Sequence, residues 1–184
     1  MQPNELIAAA AAWQTADPDP ETGAELARLI TAAQNGDKTA TAELRARFAG
    51  TLEFGTAGLR AKMGAGPARI NRVTIAQTSK GLANFLKKRS KTAQTGQPPR
   101  VVIGYDARHK SREFAQDTAE IMQGAGLHAT LLPSPCPTPL VAFAVRELQA
   151  NAGVMITASH NPPADTGYQV YLGGADRGHQ IVPP

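Results

Sequence analysis

The spacing of apolar and polar positions divides the chain near residue 70. Before it, "NELIAAAAAWQ", "ETGAELARLITAAQNG" and "KTATAELRARFAG" read as three helices, with Asp37 placed to cap the third and Gly50 to stop it. "DPDP" at 17–20 forms the turn between the first two. From residue 70, "INRVTIAQTSKGLANFLKKR" carries Ile75, Leu82 and Leu86 at helical spacing behind a capping Asn71. "RVVIGYD" (100–106) predicts a short buried strand. "SREFAQDTAEIMQGAG" puts Phe114, Thr118, Ile121, Met122 and Ala125 on one helical stripe that Gly126 ends, with Ser111 as its cap. "HATLLP" predicts a strand, and "TPLVAFAVRELQ" a helix capped by Thr138 with Pro139 at its first position. "AGVMITA" and "GYQVYL" (167–172) predict two further strands.

Strand, helix, strand, helix, strand is the order of an α/β fold. The expected architecture is a mainly parallel (mixed) open sheet sandwiched by helices, with an N-terminal helical extension. Ligands of such sheets collect beyond the carboxyl ends of the strands. That rule singles out three loops, "DARHKS", "PSPCPTP" and "SHNPP".

Composition narrows the classes. The chain has 184 residues, 42% of them hydrophobic, and no apolar run long enough to span a bilayer, so no membrane partner is expected. "LIAAAAAW" follows Glu5 and has no basic residue before it, unlike a signal peptide, which places the protein in the cytoplasm. Cys136 stands alone, so it forms no internal disulfide and reads as a small loop residue. The net charge of +4 suits an anionic partner. Its densest cluster, "LKKRSK" (86–91), falls at a helix end, where cations complement the dipole. The aromatic residues do not interleave with it, which argues against nucleic acid.

Three constellations can carry chemistry. In "ASHNPP", Ser159 lies at a strand's carboxyl end with His160 and Asn161 beside it, and Pro162 and Pro163 stiffen the turn. The plain alternative is a strand-terminal serine beside a surface histidine. A serine hydrolase is disfavoured, because no G-x-S-x-G elbow is present and adjacent side chains rarely face each other as nucleophile and base. In "LEFGTAGLRAKMGAG", Gly55, Thr56, Ala57, Gly58, Gly64 and Gly66 surround Arg60. Glycines let backbone N–H groups turn to an anion, and arginine offers a planar fork to phosphate. A glycine-rich turn between strands is the alternative, and no G-K-[ST] follows to make a Walker loop. In "GYDARHKS", Asp106 and Arg108 either serve a ligand or brace their own loop.

"FGTAGLR", "DAR…S", "PTP" and "TASHNP" followed by "GYQVY" resemble, in this order, the first-domain motifs of the α-D-phosphohexomutases. That family includes phosphoglucomutases, phosphomannomutases and phosphopentomutase-like enzymes. "W…DPDPET" and "EFGTAGLRAKMG" resemble the phosphoglucomutase or phosphopentomutase branch, and the resemblance runs from Trp13 to the end of the chain. It implies 1–50 as the helical extension and 51–184 as domain I, with the remaining mutase domains absent. It further implies that Ser159 carries the transferable phosphoryl group, that Arg60 and His160 act beside it, and that Thr56, Gly58, Asn161 and Gln169 belong to the substrate- and phosphate-binding set. Mg²⁺ would be held by Ser159 through its phosphate and by aspartates of another domain. A glucose 1,6-bisphosphate-type activator, sugar phosphates and the other mutase domains would be the partners. Gln169 departs from the pattern, since the family has a lysine ten residues beyond the serine.

The implied activity is intramolecular phosphotransfer between the 1- and 5/6-positions of hexose or pentose phosphates through a bisphosphate, with the isolated chain inactive. Two other classes stay open, a non-catalytic phosphate-binding or interaction module and a basic nucleic-acid-binding domain.

Overall fold

The computed structural model describes residues 1–92 and 96–181, the side chains of Lys91 and Thr92 excepted. The Lys91 side chain of the basic cluster and the chain from residue 182 lie outside them.

Three helices open the chain: α1 (Pro3–Ala16), α2 (Pro20–Gln34) and α3 (Lys38–Phe48). Their apolar stripes close on one another. Leu6, Ala10, Leu26, Ile30 and Leu44 form a cluster with Ala65 from beyond the helices, and Trp13 lies edge-on to Phe48 at 6.2 Å. Asp37 caps α3 as expected, accepting from the N–H groups of Thr39 and Ala40.

The remainder is the expected α/β fold. Strands β1 (Leu59–Lys62), β2 (Arg100–Tyr105), β3 (His128–Leu131), β4 (Ala152–Ile156), β5 (Asp165–Leu172) and β6 (His179–Gln180) form one sheet among the described residues. The order is β1-β5-β4-β2-β3, with β6 sharing the outer edge of β5. β3, β2 and β4 pair in parallel, whereas β5 runs against β4, β1 and β6. Only β5 is therefore reversed. β1 and β6 were not anticipated: the glycines around β1 read as loop, and both strands are too short to show a period.

Helices α4 (Arg72–Thr92) and α5 (Ser111–Gly124) cover one face, and α6 (Thr138–Glu147) covers the other. Strand residues alternate between the two layers. Val101, Ile103, Val154, Ile156, Tyr168 and Val170 join the core under α4 and α5, whereas Met155 and Tyr171 pack with Val141 and Val145 of α6. Below the sheet the Tyr168 hydroxyl meets Ser79 Oγ at 3.1 Å, and Ser79 donates to Thr118 Oγ1, so the buried phenol is satisfied. Asn71 caps α4 through a reciprocal pair with Thr74, and its amide also holds the carbonyls of Gly64 and Gly66. At α6 the register shifts by one: Pro137, not Thr138, is the N-cap residue, and Pro139 is second. The extended backbone already locked at Pro137 leaves Thr138 free to enter the helix.

Gly64 and Gly66, expected beside Arg60, instead face Arg47 of α3. The Arg47 guanidinium is buried and donates to Glu25 at 2.7 Å, Glu43 at 2.9 Å and the Ala65 carbonyl. Burial raises the Glu25 carboxyl, but hydrogen bonds from Arg47 and from the Ala65 N–H outweigh it and hold it below its usual range. Glu43 is lowered, chiefly by the Arg47 hydrogen bond. Depressed folded-state values mean that this stabilisation is complete above the ordinary carboxylate range and is lost as pH falls from that range through the lowered values. Arg47→Met should therefore destabilise the chain by about 3 kcal/mol at pH 7. That value is the low end for a broken buried pair, because Glu25 and Glu43 keep 32% and 37% exposure. Urea unfolding at pH 7 and pH 3 checks it, the difference from the parent chain shrinking at the lower pH.

Candidate active site

β2 and β4 are neighbours in register, Tyr105 opposite Ile156, so the loops that follow them leave the sheet side by side. The first (106–110) carries Asp106, Arg108 and Lys110, and the second (157–164) carries Ser159, His160 and Asn161. This adjacency brings two of the three expected loops together.

Arg108 is the connection. Its Nη2 donates to the carbonyls of Ser159 and Asn161, both at 2.8 Å, and its Nη1 to those of Pro162 at 2.9 Å and Asp165 at 3.2 Å. The guanidinium is itself held by Asp106 Oδ2 at 3.3 Å, while Asp106 Oδ1 accepts from the Arg108 N–H and from Ser111 Oγ. The expected Asp–Arg brace is thus present, but it extends to the serine loop. Ser111 does not cap α5: its buried hydroxyl is committed to Asp106, and Lys110, at φ 58°, occupies the N-cap.

Ser159 is exposed and has φ 55°, a left-handed backbone that costs a non-glycine residue on the order of 1 kcal/mol. Its N–H is satisfied by Thr157 Oγ1 at 2.9 Å, and the Asn161 N–H returns to the Ala158 carbonyl at 3.0 Å. In this turn Ser159 Oγ comes within 2.9 Å of His160 Nδ1. The sequence argument that neighbouring side chains rarely meet fails here, because the left-handed turn swings both side chains to the same side.

Arg60 reaches the same loop from β1. It lies opposite Gly167, whose carbonyl accepts from the Thr157 N–H at 3.1 Å, so β1, β5 and the first residue after β4 set one row two positions before Ser159. Arg60 Nη1 donates to Asn161 Oδ1 at 3.3 Å, and Asn161 Nδ2 donates to Asp165. Arg60 Nε is buried without a partner among the described residues. Gly55 and Gly58 exchange backbone hydrogen bonds, putting Thr56 at the exposed tip of a tight turn that rests on β5 at Tyr168 and Gln169. Gln169 is 3% exposed, and its Oε1 accepts from the Tyr171 hydroxyl at 3.0 Å. It is a buried strand residue, not the exposed one that its polarity would suggest.

Cys136 lies half-buried in the "PSPCPTP" loop, its N–H on the Tyr105 carbonyl, and burial pushes its thiol up, away from thiolate chemistry. No group of three or more His, Cys, Asp or Glu side chains among the described residues could hold a metal. No helix among them is long and apolar enough to cross a membrane. Arg108 is the residue whose reach the sequence understated. The signal was present in "DAR", but its four acceptors lie 51 to 57 positions downstream and become neighbours only through the β2–β4 pairing.

An α/β/α sandwich with a braced serine turn beyond a parallel strand defines the class. Residues 51–181 match the family described as phosphoglucomutase/phosphomannomutase, alpha/beta/alpha domain I, and the chain belongs to that family. It is 42% identical over 181 residues to the phosphopentomutase of Mus musculus, covering 95% of this chain and 27% of that protein. It is 41% identical over 141 residues to the phosphoglucomutase of Staphylococcus saprophyticus, covering 77% and 24%. A crystal structure assigned as a phosphomannomutase from Thermus thermophilus superposes with a TM-score of 0.58 at 32% identity, covering 70% of this chain and 28% of that one. The chain therefore spans about a quarter of the length of these relatives.

The row of Arg60, Gly167 and Thr157 yields a steric prediction. A Cβ at Gly167 would lie 2.5 Å from the Leu59 carbonyl oxygen, 2.7 Å from that of Thr157 and 3.0 Å from Arg60 Cγ. The two carbonyls are backbone and cannot swing aside. Gly167→Ala should cost about 3 kcal/mol and free the β1 edge, seen as a lower urea midpoint with faster amide exchange over 59–62.

Proposed function

We propose that this chain is the phosphoserine domain of a cytoplasmic sugar-phosphate mutase, an intramolecular phosphotransferase of hexose or pentose phosphates, with 1–50 a helical extension and 51–184 domain I. The observation that carries the reading is the Ser159 Oγ to His160 Nδ1 contact on an exposed turn, with Arg60 anchored beside it through Asn161. The family membership and the mutase names of the relatives support it.

In the transfer step, Ser159 Oγ attacks a phosphoryl group of a sugar bisphosphate. The Oγ–P bond forms and the sugar O–P bond breaks. The hydroxyl proton passes to His160 Nδ1, and a proton from solvent or a neighbouring acid restores the departing sugar alkoxide to a hydroxyl. A serine hydroxyl is a poor nucleophile unaided, so alignment and charge neutralisation carry the rate. The Arg108 clamp supplies alignment, and the Arg60 guanidinium supplies positive charge at the loop. Thr56 and Gly58 present the turn that faces substrate. Gln169 stands where a lysine would offer a proton and brings only hydrogen bonds. Mg²⁺ would be held by this chain only through phosphate oxygens on Ser159, hard donors of the kind it prefers, and would neutralise charge on the phosphoryl group.

Incubation with glucose 1,6-bisphosphate should add one phosphoryl mass to the chain and none to Ser159→Ala. His160→Ala should slow the labelling by about 10²-fold, the low end for lost general-base help. Equal labelling of Ser159→Ala and the parent chain refutes the assignment of the nucleophile.

A further inference from the structure

The loop that carries Arg108 also carries Lys110, whose side chain points the other way, into the N-terminal helices. Its ammonium pairs with Asp19 and, at 2.8 Å, with Glu21 Oε2. The Lys110 and Asp19 side chains are only 10% and 6% exposed. Asp19 is fixed from its own side, since its Oδ1 caps α2 through the Glu21 N–H and its backbone N–H donates to Asp17. "DPDP" is therefore an anchor as well as a turn. Lys110 holds a left-handed backbone, which a glycine would adopt without strain, and desolvates an ammonium that a neutral side chain would not. In return, this residue forms a fixed link between α2 and the 106–110 loop.

A second contact between the same two pieces, His109 Nε2 to Glu21 Oε2 at 3.8 Å, is exposed at both ends, unlike the Lys110–Asp19 pair. Next to it lies a cavity of about 300 Å³ lined by Asp19, Glu25, Met63, Lys110, Phe114 and Ala164. Ala164 closes the serine loop, so at this point the cavity, not packed side chains, lies between α2 and that loop. The connection runs instead from α2 through Asp19 and Lys110 into the 106–110 loop, and from Arg108 to the carbonyls of Ser159, Asn161, Pro162 and Asp165.

We propose that Lys110 and Asp19 are positioning residues: their ion pair seats the 106–110 loop, and with it Arg108, so that the N-terminal helices set the alignment of Ser159. The pair touches neither substrate nor reacting atoms and acts only through Arg108. The role in transfer rests on the phosphoserine reading above, whereas the role in holding the loop does not.

The test uses the full chain as Lys110→Met, Lys110→Arg and Asp19→Asn, the last keeping an N-cap while removing the charge. Amide exchange should rise about tenfold at Ser159, Asn161 and Asp165 in Lys110→Met and Asp19→Asn. Strands β2 and β4 should stay unchanged, and Lys110→Arg should match the parent chain. Single-turnover labelling of Ser159 from glucose 1,6-bisphosphate should slow at least about tenfold in the first two variants, with half-saturation unchanged. Exchange that rises uniformly over the sheet, or does not rise at all, overturns the inference. If the parent chain takes no phosphate, the proposed function fails, and the exchange pattern alone decides whether the pair positions the loop.

Discussion

One guanidinium organises the functional edge of this molecule. Arg108 donates to four backbone carbonyls of a turn that leaves the sheet and returns to it. Carbonyls pointing the same way in a tight turn repel one another, and a planar cation with paired donors offsets that repulsion. Pro162 and Pro163 remove two N–H groups that could otherwise have served the turn from within, where the Asp165 N–H still donates to the Pro162 carbonyl. A lysine would carry the charge but not the fork. The exposed, strained Ser159 is tolerated because the residues around it are held this firmly.

The sheet supplies the adjacency on which that contact depends. β2 and β4 pair in parallel, so both carboxyl ends reach the same edge, and the antiparallel β5 returns the serine loop along β4 to meet β1. Arg60 and Arg108 consequently approach one turn from different strands, with Arg60 bound to a side-chain amide and Arg108 to main chain. Phosphoryl transfer demands alignment and charge stabilisation more than new covalent chemistry. On the proposed reading, the two demands fall to different arginines. A similar division appears among the helices. The N-terminal trio has its own apolar cluster, and polar contacts tie it to the rest of the chain: the Lys110–Asp19 ion pair, the Ala65 backbone held by Arg47 and Glu25, and Arg69 against Glu43.

Apolar period by itself determined the helices, the buried strands β2 and β4, and hence the α/β class, because burial on a layered core imposes spacing on the sequence. The strand-end rule located the serine loop, and the motifs around Ser159 and Arg60 located the family. Neither could show that Gly64 and Gly66 face Arg47, that Ser111 serves Asp106, or that Gln169 is buried against Tyr171. Only the tertiary structure decided those, along with the reach of Arg108 and the meeting of Ser159 with His160. The reason is physical: period reports which face of an element is dry, whereas the partner of a polar side chain depends on strand order and loop path. Those bring together residues dozens of positions apart and leave no periodic trace in the chain.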